Sequence, residues 1–168
     1  MRHSQLLLTR QFTKYQQEPV EGISFGLENE DIFRWRVAIT GPPDTPLEGG
    51  LFQAVMQFPE NYPMEPPTMK FITPMYNPNI YPSGEVCISI LHRPGADESD
   101  LVMSGELPEE RWSPVQSPLS VVLSVLSMLV DPNAESPANV DAAVDFRENR
   151  KIYDQKVRRL AQRSLEDI

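Results

Sequence analysis

Seventeen of the 168 residues are proline, about twice the usual share. Proline fixes φ and has no N–H to donate, so helix interiors and central strands reject it. A chain this rich in proline is not all-helical, and its loops follow long, fixed paths. One such loop is Pro-rich 59–67, between two apolar alternating runs. The length suits one domain, large enough to bury a core without disulfide or metal staples.

The remaining patterning is legible between the prolines. Leu8, Phe12 and Tyr15 fall at i, i+4 and i+7, which predicts a helix over 2–17 stopped by Glu18-Pro19. Four strand-like runs follow: Ile23/Phe25/Leu27, then Phe33/Trp35/Val37/Ile39, then Phe52/Ala54/Met56/Phe58, then 68–72. Asn29-Glu30-Asp31, residues 41–50 and residues 59–67 read as turns between them. Close spacing and period-two alternation predict an antiparallel meander with one face covered. Trp35 and Trp112 read as core. Residues 73–117 show no long periodic segment, and a stretch like that inside a compact domain is usually functional or flexible. Helical patterning returns with Ser117 as cap, Pro118 in the first turn and an inward stripe of Leu119, Val122, Leu123, Leu126 and Leu129. Asp131-Pro132-Asn133 ends that helix. Another is predicted from Ser136-Pro137, breaking near Asn149. The last spans 151–165, with Ile152, Val157 and Leu160 inward. The fold class is therefore mixed α/β, in the α+β sense.

Charge narrows the function. Fifteen Lys+Arg against 24 Asp+Glu give a net charge of −9. A surface that acidic repels phosphate backbones, so a broad nucleic-acid-binding face is not expected. No apolar run is long enough to span a membrane, and Leu6-Leu7-Leu8 is too short for a signal peptide. The expectation is a soluble, intracellular protein. One cysteine excludes an internal disulfide, and no Cys/His cluster offers four zinc ligands. The acids Asp97, Glu98, Asp100, Glu106, Glu109 and Glu110 fall in a stretch without Lys or Arg, which reads as a mobile acidic flap. The basic residues of 147–163 read as solvated helix surface.

A lone free cysteine is more often a small buried hydrophobe than a nucleophile. Cys87 differs in its surroundings. It follows the turn Tyr81-Pro82-Ser83-Gly84 and opens a brief extended run, Cys87-Ile88-Ser89-Ile90-Leu91, at the edge of the irregular stretch. A cysteine hydrolase would need a base and an orienting group. His92 is five residues on, but no orienting partner for it is evident in the sequence.

Five ordered blocks carry a resemblance. They are Tyr62-Pro63-Met64-Glu65-Pro66-Pro67, Asn77-Pro78-Asn79-Ile80-Tyr81, Gly84-Glu85-Val86-Cys87-Ile88-Ser89-Ile90-Leu91, Arg111-Trp112-Ser113-Pro114 and Asp131-Pro132-Asn133. Together they closely resemble a ubiquitin-conjugating enzyme (E2), from about Leu6 to about Leu165. Within the family the chain is similar to the E2 subgroup with an acidic insertion after its cysteine, although the 25 positions from Cys87 to Trp112 make the insertion longer than expected even there. That subgroup serves endoplasmic-reticulum-associated degradation and the cullin-RING ligases. Ser136-Pro137-Ala138-Asn139-Val140-Asp141-Ala142 is similar to it too. The chain has no long acidic tail after Leu165, which favours the former type.

The resemblance implies one conjugating domain over 1–168, with the insertion at about 93–110. Its expected order is an N-terminal helix, a four-stranded meander, the active-site stretch, a central helix and two C-terminal helices. It implies that Cys87 takes ubiquitin from an E1 activating enzyme as a thioester. A substrate or ubiquitin lysine then attacks it, with a RING-type E3 ligase as partner and degradative chains as product. No metal or organic cofactor is implied, since the activating enzyme uses the ATP. Asn79 matches the family's oxyanion-stabilising asparagine. Ser136 stands where relatives carry a small or acidic residue facing the incoming lysine. Met64, Ser113, Pro114 and Val115 match the ligase-docking positions, while Arg10 and Lys14 match the basic face that meets the activating enzyme. The family's usual His-Pro-Asn is here Asn77-Pro78-Asn79, so the loop that positions Asn79 is expected to be held differently. The implied location is cytoplasmic, or nuclear, or at the reticulum surface through a partner. Two rivals follow from the same residues: an inactive E2-like scaffold, for which Asn77 is the one argument, and a Cys87–His92 hydrolase.

Overall fold

The computed structural model describes residues 2–94 and 105–166. The first helix, α1, runs His3–Gln17 and ends where the Glu18 N–H donates to the Lys14 carbonyl. Leu8 is fully buried, with Phe12 and Tyr15 packed on the core beside it. Strands β1 (Ile23–Glu28), β2 (Asp31–Thr40), β3 (Leu51–Gln57) and β4 (Thr68–Phe71) form one antiparallel sheet in chain order. Asn29 and Glu30 both adopt left-handed backbone (φ 52° and 59°), the geometry a two-residue hairpin needs to match strand twist. Alternation sends Ile23, Phe25, Trp35, Val37, Ile39, Phe52, Ala54, Met56, Met69 and Phe71 inward. Cross-strand partners then stack within the core, Trp35 opposite Met56 and Val37 opposite Ala54.

Helix α2 (Pro118–Val130) starts as its residues predict. The Ser117 hydroxyl accepts from the Ser120 N–H at 3.1 Å, with Pro118 in the first turn. Its inward face differs from the expected leucine stripe. Val121, Val122, Val125, Met128 and Leu129 are buried, Leu119 and Leu126 are half-buried, and Leu123 is 45% exposed. Apolar side chains surround most of this helix, so their period selects no face. Ser120, Ser124 and Ser127 mark the outward side instead.

Helix α3 (Val140–Glu148) begins later than Ser136-Pro137, because Ser136 has left-handed backbone (φ 52°) and the cap is Asn139, accepting from the Ala142 N–H at 3.0 Å. A break at Asn149 precedes α4 (Arg150–Glu166). Ile152, expected inward, is 47% exposed; Tyr153, Val157, Ala161 and Ser164 form the buried i, i+4 stripe instead. Buried Ser164 stays satisfied by accepting from the Leu51 N–H at 2.9 Å, which ties α4 to β3.

Between β4 and α2 the described residues hold only short elements. Lys70 bridges Glu85 and Ile80 bridges Val86, and 3₁₀ turns span Ser89–Leu91 and Pro108–Glu110. The expected extended run after Cys87 therefore becomes a turn at Ser89, drawn in by buried Ile90 and closed by the Leu91 N–H on the Ile88 carbonyl. Gly84 positions this stretch. Its φ is +102°, and an added Cβ would lie 2.3 Å from the Phe71 carbonyl oxygen. The same Gly84 accepts from the Phe71 N–H at 2.8 Å. Gly84→Ala is thus expected to lower stability by about 1–3 kcal/mol, read as a denaturant midpoint shift at constant m-value.

Candidate active site

Cys87 is pinned by its own backbone. Its N–H donates to the Asn79 carbonyl at 2.9 Å, and the preceding Val86 N–H donates to the Met69 carbonyl at 3.0 Å. The thiol is half-exposed. With Tyr81, Leu91 and His92 it lines part of a groove of about 560 Å³ walled by outward side chains of β3 and β4.

Asn79 is held by both ends of its amide. Its Nδ2 donates to the Asn133 carbonyl at 2.9 Å, and its Oδ1 accepts from the Asn133 N–H at 2.8 Å. The amide nitrogen carries two N–H groups. One of them is engaged by the Asn133 carbonyl. Asn77, buried, has its Oδ1 accepting from the Asn79 N–H at 2.8 Å. The loop is therefore held by a short Asx turn, a bond two residues long that a shorter side chain than histidine can make. Pro78 completes the tether. Its carbonyl accepts from the Ala138 N–H at 2.8 Å and the Asn139 N–H at 3.1 Å. Ser136, exposed, belongs to the segment fastened this way.

His92 does have an orienting partner, contrary to the sequence reading. Its Nε2 lies 3.7 Å from Cys87 Sγ, and its Nδ1 hydrogen-bonds the Glu106 carboxylate. A carboxylate only accepts, so Nδ1 carries a proton and Nε2 faces the sulfur. Glu106 is itself fixed by the Ser89 hydroxyl at 3.0 Å and by Arg111 Nε at 2.8 Å. Buried Arg111 also reaches the Arg93 carbonyl at 3.3 Å. Glu106, which the sequence reading grouped with the acidic flap, is thus turned into the site. Asp97, Glu98 and Asp100 lie outside the described residues. The His92 hydrogen bond holds the Cys87 thiol below its usual range, against burial, with smaller help from the His92 charge and the Tyr81 hydroxyl and opposition from the Glu106 charge. His92 is raised in turn, by its bond to Cys87 first and by Glu106 in addition, against burial.

The remaining predicted positions are surface. Met64 is 61% exposed and Val115 89%, beside half-buried Ser113 and exposed Pro114. Trp112 links the two loops by donating its Nε1–H to the Pro63 carbonyl at 2.8 Å. Arg10 and Lys14 are both exposed, one turn apart on α1. No group of three or more His, Cys, Asp or Glu among the described residues could hold a metal ion. Among the described residues, no helix is long and apolar enough to cross a membrane.

Comparison with known proteins agrees with this architecture. Residues 7–161 match the family "Ubiquitin-conjugating enzyme". The chain belongs to the ubiquitin-conjugating enzyme family. It is 51% identical over 166 residues to Ubiquitin-conjugating enzyme E2 15 of Schizosaccharomyces pombe, covering 98% of this chain and 97% of that one. It is 52% identical over 162 residues to Ubiquitin-conjugating enzyme E2 14 of Arabidopsis thaliana, covering 96% and 95%. The probable ubiquitin-conjugating enzyme E2 7 of Caenorhabditis elegans is 50% identical over 168 residues, covering 99% and 100%. The mixed fold of helices around a four-stranded antiparallel sheet is that of the E2 family. The expected class, an E2 ubiquitin-conjugating enzyme, agrees with the family and with these relatives. Sequence reasoning missed Asn133 as the partner of Asn79, having read it as a helix stop and as part of a family block. It also missed the His92–Glu106–Arg111 chain, for which no local signal exists.

Proposed function

We propose that Cys87 carries ubiquitin as a glycyl thioester, taken from an E1 activating enzyme, and passes it to a lysine on a substrate or on another ubiquitin. The observation that carries this is the thiol's setting. The chain's only cysteine is half-exposed and electrostatically poised by His92, and the loop carrying Asn79 is hydrogen-bonded to it. Thiol-to-thiol transfer conserves the acyl group's reactivity. Attack by an amine then creates an oxyanion, which the second Nδ2–H of Asn79 meets. Desolvation of the lysine disfavours its charged form and frees the amine to attack. Ser136 borders the approach of that lysine. The reaction draws on no metal or organic cofactor here, and ATP is consumed by the activating enzyme.

The partner surfaces follow. Met64, Ser113, Pro114 and Val115 form a RING-type ligase patch, for which exposed apolar side chains on two loops joined through Trp112 are the support. Arg10 and Lys14 meet the activating enzyme. The acidic insertion supports the endoplasmic-reticulum quality-control subgroup and degradative chain building, with recruitment to that surface through a partner.

Incubation with activating enzyme, ATP and ubiquitin should give an adduct removed by thiol reductant. Cys87→Ser should give one that resists it. No adduct from folded protein rejects the reading. A Cys87–His92 hydrolase has geometry in its favour, but it needs His92 for any covalent step, whereas the conjugating reading expects His92→Ala still to form the adduct. Neutralising Asp97, Glu98 and Asp100 together should reduce chain formation more than charging, because their field acts on an incoming cationic lysine. Equal loss in a charging assay and a chain-building assay rejects that role.

A further inference from the structure

We propose that His92 is the proton carrier of the Cys87 reaction, with Glu106 as the residue that positions it. The inference rests on the reading of Cys87 as the thioester carrier. Its geometry is a continuous chain. Cys87 Sγ faces His92 Nε2 at 3.7 Å, His92 Nδ1 bonds Glu106, and Glu106 is fixed by Ser89 and Arg111. Five positions separate Cys87 from His92, and the 3₁₀ turn at Ser89–Leu91 between them sets the approach.

The protons balance over one cycle. The reactive form of the pair, from which the cycle starts, is thiolate and imidazolium. In charging, Sγ attacks the carbonyl carbon of the incoming thioester and the Sγ–C bond forms. The bond from that carbon to the activating enzyme's sulfur breaks, and that sulfur leaves and receives the Nε2 proton. His92 is then neutral beside the Cys87 thioester, its Nε2 lone pair facing the sulfur. In transfer, a neutral lysine amine attacks the carbonyl, the C–N bond forms and the C–Sγ bond breaks. Nε2 takes the proton the amine must lose, and Cys87 departs as thiolate beside imidazolium. The starting pair is regenerated, and no solvent base is required at the site.

Among the described residues, the ionisable groups facing the sulfur are His92, the Tyr81 hydroxyl and the Glu106 carboxylate. Cys87 and Glu106 face His92, and Arg111 sits behind Glu106. Glu106 disfavours the thiolate and favours the imidazolium, so its net value lies in the tautomer and in proton uptake. It keeps the Nδ1 proton in place and aims the Nε2 lone pair at the reacting atoms.

The test has two arms. In uncharged enzyme, Cys87 alkylation by iodoacetamide is followed against pH. His92→Gln should move the midpoint up by about one pH unit, since the imidazolium partner is gone. In enzyme charged to completion beforehand, single-turnover discharge to free lysine should fall by about 10²-fold in His92→Gln. Glu106→Gln should give a smaller loss, with its acidic limb moved to lower pH because His92 becomes less basic. Unchanged thermal midpoints separate these effects from misfolding. A shift in one arm without the other, or in neither, overturns the proposal. An enzyme that alkylates with the expected profile but never charges would overturn the thioester reading, and the transfer half of the cycle with it, while supporting the pair.

Discussion

Replacing Asn79 with alanine is expected to slow lysine transfer from charged Cys87 by about 10²- to 10³-fold, the range for losing one oxyanion donor. The Asn79 amide is held at both ends. Oδ1 holds the Asn133 N–H, and one Nδ2–H holds the Asn133 carbonyl. These bonds fix the amide, so that in the proposed role its other Nδ2–H would need no reorganisation during reaction, which is what makes a fixed donor effective. Alanine removes the donor and also leaves two backbone groups of Asn133 without their partner, at a cost of about 1–3 kcal/mol for each group that stays buried. Asn79→Asp separates the two roles. It keeps the acceptor for the Asn133 N–H but puts negative charge where Nδ2 donated. Transfer should therefore be at least as slow as in the alanine variant, with part of the lost stability regained. Single-turnover discharge from pre-charged enzyme, beside urea unfolding of both variants, reads the two quantities apart. Discharge within a factor of a few of the parent in both would remove Asn79 from the chemistry and leave it as a loop fastener.

The largest stability effect is expected at Trp35. Trp35→Ala should cost about 3–5 kcal/mol, enough to consume a large share of the 5–15 kcal/mol typical of a domain. Trp35 is fully buried on β2 and touches rings from three directions: Phe12 and Tyr15 of α1, Phe25 of β1, and Phe58 after β3. Its indole N–H donates to the Ile32 carbonyl at 2.6 Å. Alanine thus leaves a cavity under the helix and frees a backbone acceptor. Equilibrium urea unfolding should show a lower midpoint with the same slope. A loss below about 1 kcal/mol would mean that α1 collapses onto the sheet to fill the gap.

Much of this was readable locally. Proline and glycine placement, the Ser117-Pro118 helix start and the period-two runs led directly to the four strands and to α1, because each rests on backbone chemistry within a few residues. The faces of α2 and α4 were harder. Leu123 and Ile152 suit an inward stripe as well as Val121 and Tyr153 do, and hydrophobicity alone does not choose between stripes. The choice falls to whatever the neighbouring sheet presents, as Ser164 shows by turning inward to bond β3.

The site divides the same way. Order and spacing of residues determined the family and singled out Cys87, Asn79 and the exposed Met64, since motif blocks and turns are local properties. Tertiary structure alone decided which side chains meet there. Asn133 reaches Asn79 across 54 positions, Trp112 reaches Pro63 across 49, and Glu106 returns across 14 to orient His92. A hydrogen bond needs its partner within about 3 Å, and for partners far apart in sequence that distance exists only after the core has packed.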